Sequence, residues 1–277
     1  MHIRIEHQTL YRYETPAKMA TQILRLTPRN HDGQYVSDWR IELSADSKVH
    51  RGEDAFGNIT HTFTAEGDFE SLKISVEGTV DTTDNAGIVR GTVERFPPQL
   101  FLRSTVMTTA DADILAFAQA ARGRAGQSAN EISILHALLS ALHDDIVFDT
   151  DPTHAGTTAA EAFALKRGVC QDIAHIFITC SRALDIPARY VSGYFRRNDG
   201  VVNQDAGHAW AECFVKDLGW VAFDPTNGIS ATDAHVRVAT ALDYLGAAPV
   251  RGTQFGGTNE TLSVAIIVDQ VRQQMQN

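Results

Sequence analysis

The spacing of apolar residues changes period twice along this chain, and that change restricts the folds open to it. Ile3, Ile5 and His7 alternate with Arg4 and Glu6, Ile41 and Leu43 do the same after Trp39, and Leu72, Ile74 and Val76 repeat the pattern. A period of two is the mark of half-buried antiparallel strands. Asp54-Ala55-Phe56-Gly57-Asn58 supplies a turn between two such runs. Residues 95–105, with Pro97-Pro98, read as a connection, and the period beyond it becomes helical. Ala112 to Arg122 forms one predicted helix, stopping at Gly123. Ser128 to His143 forms a second, with Ser128 as N-cap and Glu131 completing a capping box. Ile132, Leu135, Leu139 and Leu142 make its apolar stripe. A third helix starts at or just after Cys170, buries Ile173, Phe177, Cys180 and Leu184, and closes at Asp185-Ile186-Pro187.

Past Pro187 the period returns to two. Arg189–Tyr194, His208–Val215 and Trp220–Asp224 are predicted strands, with Lys216-Asp217-Leu218-Gly219 turning between the last two. A final strand, Leu262–Val268, precedes a polar tail. The expected class is α+β: an N-terminal antiparallel β-sandwich domain over residues 1–95, then a domain over 96–277 with helices first and antiparallel strands after.

Charge and cysteine content narrow the function. A net charge of -10 argues against a nucleic-acid binder. Nothing approaches the roughly 20 apolar residues of a membrane span. The opening MHIRIEHQTLYRYE reads as a strand, not a signal peptide, so a cytoplasmic location is expected. Three cysteines, Cys170, Cys180 and Cys213, cannot all pair, which speaks against a disulfide scaffold.

Cys170 differs from the other two. Gly168 precedes it, suiting a sharp turn, and the helix starting there aims unpaired N–H groups and its dipole at the sulfur, favouring the thiolate. Cys180 and Cys213 lie inside amphipathic elements and read as core residues. A thiolate catalyst needs a proton carrier, and His208 opens the strand Gly207-His208-Ala209-Trp210. The next strand ends in Asp224, so the turn returns both to one end of a sheet. Asp224 is the first choice of acceptor to orient the imidazole and Asn227 the second. Zinc held by Cys170, His175 and His208 is the metal alternative, with no CxxC or HExxH pattern behind it. No metal or cofactor is expected. The other histidines, His235 among them, read as scattered surface or capping residues.

Gly168-Val169-Cys170-Gln171-Asp172, Ile186-Pro187-Ala188-Arg189-Tyr190-Val191-Ser192-Gly193-Tyr194, Gly207-His208-Ala209-Trp210 and Gly219-Trp220-Val221-Ala222-Phe223-Asp224-Pro225-Thr226-Asn227, in that order, resemble the bacterial transglutaminase-like superfamily. Thr9-Leu10-Tyr11-Arg12-Tyr13 resembles the β domain that accompanies this core, and the segments 233–238 and 249–252 resemble the same subgroup. The resemblance implies a papain-like core with Cys170 as nucleophile, His208 as general acid/base and Asp224 as orienting acid. The implied reaction is acyl transfer at a peptide or γ-glutamyl-type amide through a thioester, ending in hydrolysis (the favoured outcome) or transfer to an amine acceptor. A catalytically silent binding or scaffold module is the alternative. The sequence departs from its relatives at the second oxyanion donor. The papain-type Gln position is Ala164, and no tryptophan lies between Trp39 and Trp210. Tyr194 is the candidate that remains. No EF-hand-like loop is present, so calcium activation is not carried over. Asp172 is read as a first-turn acid or a substrate-amine contact, and Arg196, Arg197 and Asp205 as solvated loop residues or, from their place beside the triad, as residues selecting substrate.

Overall fold

The computed structural model describes residues 1–271 and bears out the α+β class, with antiparallel sheets and helices packed on one of them. The polar tail falls mainly at 272–277, outside the described residues. Strands β1 (His2–Thr27), β2 (Gln34–Leu43), β3 (His50–Glu53) and β4 (Ile59–Thr82) form the body of the first sheet, while β5 (Ile88–Val89) crosses to the second. The predicted alternation is realised: Ile3, Ile5, His7, Leu72, Ile74 and Val76 are all buried. Register shifts between Arg12 and Ala17, and again between Ala17 and Met19, interrupt the β1–β4 ladder and bend both strands. Ala20, Leu24, Phe63 and Ala65 from one half then pack with Leu72, Ile74 and Val76 from the other, so the bent sheet closes over its own apolar face. Each fully buried Leu, Ile or Phe there contributes about 1.5–3 kcal/mol.

The rest of the chain runs α1 (Ala112–Ala125), α2 (Glu131–Asp145), β6 (Val147–Phe148), α3 (Ala159–Leu165), β7 (Arg167–Gly168), α4 (Cys170–Ala183), β8 (Ala188–Phe195), β9 (Asn203–Gln204), β10 (His208–Val215), β11 (Gly219–Asp224), β12 (Ile229–Ser230), β13 (His235–Ala241), α5 (Tyr244–Ala247), β14 (Val250–Thr258) and β15 (Thr261–Gln270). The second sheet has the order β12-β11-β10-β8-β13, and β5 adds to β11. Helix α4 lies on it as the central helix, with Ile173, Ile176, Phe177 and Cys180 fully or almost fully buried against Tyr190, Ala211, Cys213 and Phe223.

Three expectations are corrected. Helix α1 runs through Gly123 and turns at Gly126, whose φ is +98°; a glycine inside a helix costs only about 1 kcal/mol. The N-cap of α2 is Asn130, which accepts from Ser133 N–H at 3.0 Å, and not Ser128. Glu131 therefore serves no capping box; its carboxylate accepts Lys216 N–H at 2.7 Å and fastens α2 to the β10–β11 turn. Finally, the division at 95/96 does not separate the sheets. β14 and β15 return to β1, with Ile23 opposite Arg251, Tyr11 opposite Leu262 and Ile5 opposite Val268. The ladder edge of β1 facing away from β4 needs partners, and the last strands of the chain supply them.

Candidate active site

Cys170 is the first residue of α4. The Asp172 carboxylate accepts the Val169 N–H at 2.9 Å and the Thr153 hydroxyl at 2.7 Å, closing the helix start. Gly168 is needed at that turn, since a Cβ there would stand 2.6 Å from Asp172 Oδ2. Asp172 is thus a buried, first-turn structural acid, and burial holds its carboxyl above the usual range despite these hydrogen bonds. Among the described residues the N–H groups of Cys170 and Gln171 have no acceptor in the backbone, so both are free for a ligand.

The β10–β11 register sets Ala211 opposite Phe223 and Glu212 opposite Ala222, which carries Asp224 to the level of Trp210 and diagonal to His208 on the same face. His208 Nε2 and Asp224 Oδ2 are 2.7 Å apart. The second ring nitrogen is left for the sulfur, and the Cys170 thiol, 4.0 Å from Gly207 O, lies at the same mouth. Burial opposes a charge on His208, yet the Asp224 carboxylate and then the Cys170 sulfur raise its pKa to about 10. The direction favours the charged form of the imidazole. Asp224 has no exposed surface; burial alone would raise its carboxyl, but His208 and His235 hold it well below the usual range.

Asp224 has further donors. His235 Nε2 lies 3.1 Å from Oδ2 and Asn227 Nδ2 2.6 Å from it, while Asn227 N–H reaches Oδ1 at 3.2 Å. The His235 Nδ1 accepts the Thr232 N–H at 3.1 Å, which places the ring proton on Nε2 and makes His235 a neutral donor to the carboxylate. Burial, foremost, lowers the His235 pKa. Asn227, considered as an alternative acceptor for the imidazole, instead donates to Asp224. His208, Asp224 and His235 also have the spacing of a three-ligand metal set. The His235 tautomer argues for hydrogen bonding, because a protonated Nε2 has no lone pair to offer. His175 stands elsewhere: its Nε2 accepts the Tyr244 N–H at 3.0 Å, and burial lowers its pKa to about 4.

Cys170 opens onto a cleft of about 920 Å³, at the upper end of small-molecule sites. One wall is the first sheet, through His7, Thr9, Tyr11, Leu262 and Val264; the opposite side carries Gln171, His208 and Asn227. Cys180 and Cys213 have no exposure, and burial pushes the Cys213 thiol up to about 12. Of the loop residues, Asp205 and Arg197 line the cleft, with Arg197 paired to Asp199. Arg196 does not; it turns to Asn198 at 3.5 Å. Tyr194 is also displaced from its expected place. Its hydroxyl is 2.9 Å from His7 Nδ1, so it is consumed in the contact between the two sheets and cannot face the sulfur.

The residues missed by sequence reasoning are His235 and the wall from β1 and β15. A signal for the wall existed: His7, Thr9 and Tyr11 continue the buried face of Ile3 and Ile5 with polar side chains.

Comparisons with known proteins agree with this architecture. Residues 117–225 match the transglutaminase-like superfamily, and residues 3–81 match the bacterial transglutaminase-like N-terminal region. An uncharacterized protein of Mycobacterium leprae is 28% identical over 278 residues, spanning 95% of this chain and 97% of its own. A Pseudomonas aeruginosa protein-glutamine gamma-glutamyltransferase is 28% identical over 155 residues, covering 48% of this chain but 23% of that protein. A solved Cytophaga hutchinsonii protein, provisionally described as a cysteine protease, superposes with a TM-score of 0.74 over 98% of this chain and 92% of that one, at 21% identity.

Proposed function

Because this chain belongs to the transglutaminase-like superfamily, we propose that it is a cysteine-dependent amidase or acyltransferase acting on peptide or γ-glutamyl-type amides. The observation that carries the reading is the His208–Asp224 contact at 2.7 Å beside a cysteine at the start of a helix, all opening on one cleft.

The Cys170 thiolate attacks the amide carbon, forming the C–S bond as the carbonyl π pair moves onto oxygen. The Cys170 backbone N–H receives that oxyanion. As the tetrahedral species collapses, the C–N bond breaks and the imidazolium of His208 gives its proton to the departing amine. Asp224 keeps the ring oriented and compensates its charge, and His235 and Asn227 in turn keep Asp224 in place. Water or an amine then attacks the thioester, His208 takes up its proton, and the thiolate leaves. Hydrolysis is the favoured second half, since solvent-exposed residues such as Arg197, Asn198 and Asp205 line the cleft and water has ready access to them. The γ-glutamyltransferase relationship supports transfer to an amine as the competing outcome.

Iodoacetamide tests the assignment directly. The expected result is fast, selective alkylation of Cys170, slowed at least tenfold in His208→Ala. Slow, equal labelling of Cys170, Cys180 and Cys213 would instead indicate a binding module without catalysis.

A further inference from the structure

A usual oxyanion site takes two preorganised donors; the Cys170 N–H is one, and the Gln171 N–H, also without an acceptor, competes with the cleft's side chains for the second place. The cleft holds several polar side chains, and most are engaged. Gln171 Nε2 reaches Ala155 O at 3.3 Å, Ser192 Oγ donates to Ala247 O at 2.7 Å, and Asn227 Nδ2 is held by Asp224. Three phenols also line the cleft without a hydrogen-bond partner among the described residues, Tyr11, Tyr190 and Tyr244, and of these only Tyr190 is buried. Its side chain is 2% exposed, it lines the cleft with Cys170, and its hydroxyl has no hydrogen-bond partner among the described residues. That oxygen keeps some accessible surface, and the residue lines the cleft.

Its position is fixed from both sides. The His175 ring packs against it at 5.0 Å and the Tyr244 ring edge-on at 6.2 Å, while the Tyr244 N–H donates to His175 Nε2. We propose that Tyr190, on β8 beneath the start of α4, is the second oxyanion donor of the site. The inference rests on the cysteine-enzyme reading above. Its phenol O–H, together with the Cys170 N–H, binds the carbonyl oxygen as negative charge develops there. The phenol keeps its proton throughout, while the proton for the leaving amine comes from His208. Two further observations agree. Burial, and after it the nearby Cys170, raise the phenol pKa well above 10, so the group is a donor at every working pH. Ala164, by contrast, offers no side-chain donor.

The test compares two reagents on Tyr190→Phe, which keeps the ring and removes the donor. p-Nitrophenyl acetate acylates Cys170 through an oxyanion; iodoacetamide alkylates it at a saturated carbon and forms none. The expected result is acetylation slowed about 10- to 100-fold, the range of a single lost oxyanion donor, with alkylation within twofold of wild type. Two unchanged rates would overturn the Tyr190 role and leave the enzyme reading standing. So would two rates that fall together, since that marks damage to the cysteine itself. Wild-type protein whose Cys170 reacts no faster than Cys180 or Cys213 would overturn both.

Discussion

Asp224 and Glu212 are both carboxylates with no exposed surface, on adjacent strands of one sheet, and their surroundings set them to different work. Glu212 receives Arg189 Nε at 2.6 Å and Arg237 Nε at 2.7 Å. Arg189 continues to Glu94 at 2.8 and 3.0 Å and lies 3.8 Å over the Trp220 ring. Every partner of Glu212 is a permanent cation, so the cluster exchanges no proton at working pH and serves as a clamp. Asp224 is met by two imidazoles and an amide. One of its histidines is fixed neutral, while the other, at the mouth of the cleft, has its charged form favoured by the carboxylate. Equal burial thus gives a structural tie where the partners cannot titrate, and a proton-handling site where one of them can.

The contrast should break most visibly in catalysis. Asp224→Ala is expected to lower turnover about 10³-fold or more, by analogy with losses of an orienting carboxylate, with the folded state retained in a thermal melt. Glu212→Gln should do the reverse: a loss of up to about 3 kcal/mol in chemical denaturation, because half-buried Arg237 loses its counter-charge and buried Arg189 keeps only Glu94, and turnover per folded molecule within about threefold. Equal effects of the two substitutions on both readouts would erase the distinction.

Acid and base sharpen it further. The Glu212 carboxyl is held at about 2, chiefly against its burial, by Arg237 and Arg189. Its lowered value means that the contribution is complete above pH 4.5 and lost as pH falls toward 2. Thermal midpoints should drop over that window, and less so in Glu212→Gln. His208 behaves oppositely. Its raised value keeps the imidazolium through neutrality and loses it as pH rises through about 10, so acylation should decline there, and Asp224→Asn should move that decline to lower pH. The smallest effect is expected from His235→Gln, about tenfold in turnover, since it removes only an N–H that steadies Asp224.

Much of this was legible in the residues. The period changes located the sheets and the central helix, and the glycine turn before Cys170 marked the helix start because a side chain at 168 has no room beside Asp172. The strand turn at 216–219 placed His208 and Asp224 at one end of a sheet, while their register, which alternation alone does not fix, came from the strand pairing. His235 lay within the segment 233–238 that carried the resemblance, yet its role stayed hidden; it arrives on β13, the far edge strand of the second sheet, through pairing with β8. The return of β14 and β15 to β1 was hidden for the same reason, as pairing across more than 200 residues leaves no mark on either strand alone. Arg196 and Arg197 show the limit within a loop: one residue decides which side chain reaches the cleft.

The most direct measurement is intact and peptide mass spectrometry of acyl-enzyme trapped from a set of peptide and γ-glutamyl amides. A single acyl group on Cys170, released by hydroxylamine and absent from His208→Ala, is the predicted result. An adduct on another residue, or one on Cys170 that forms equally well without His208, would contradict the account.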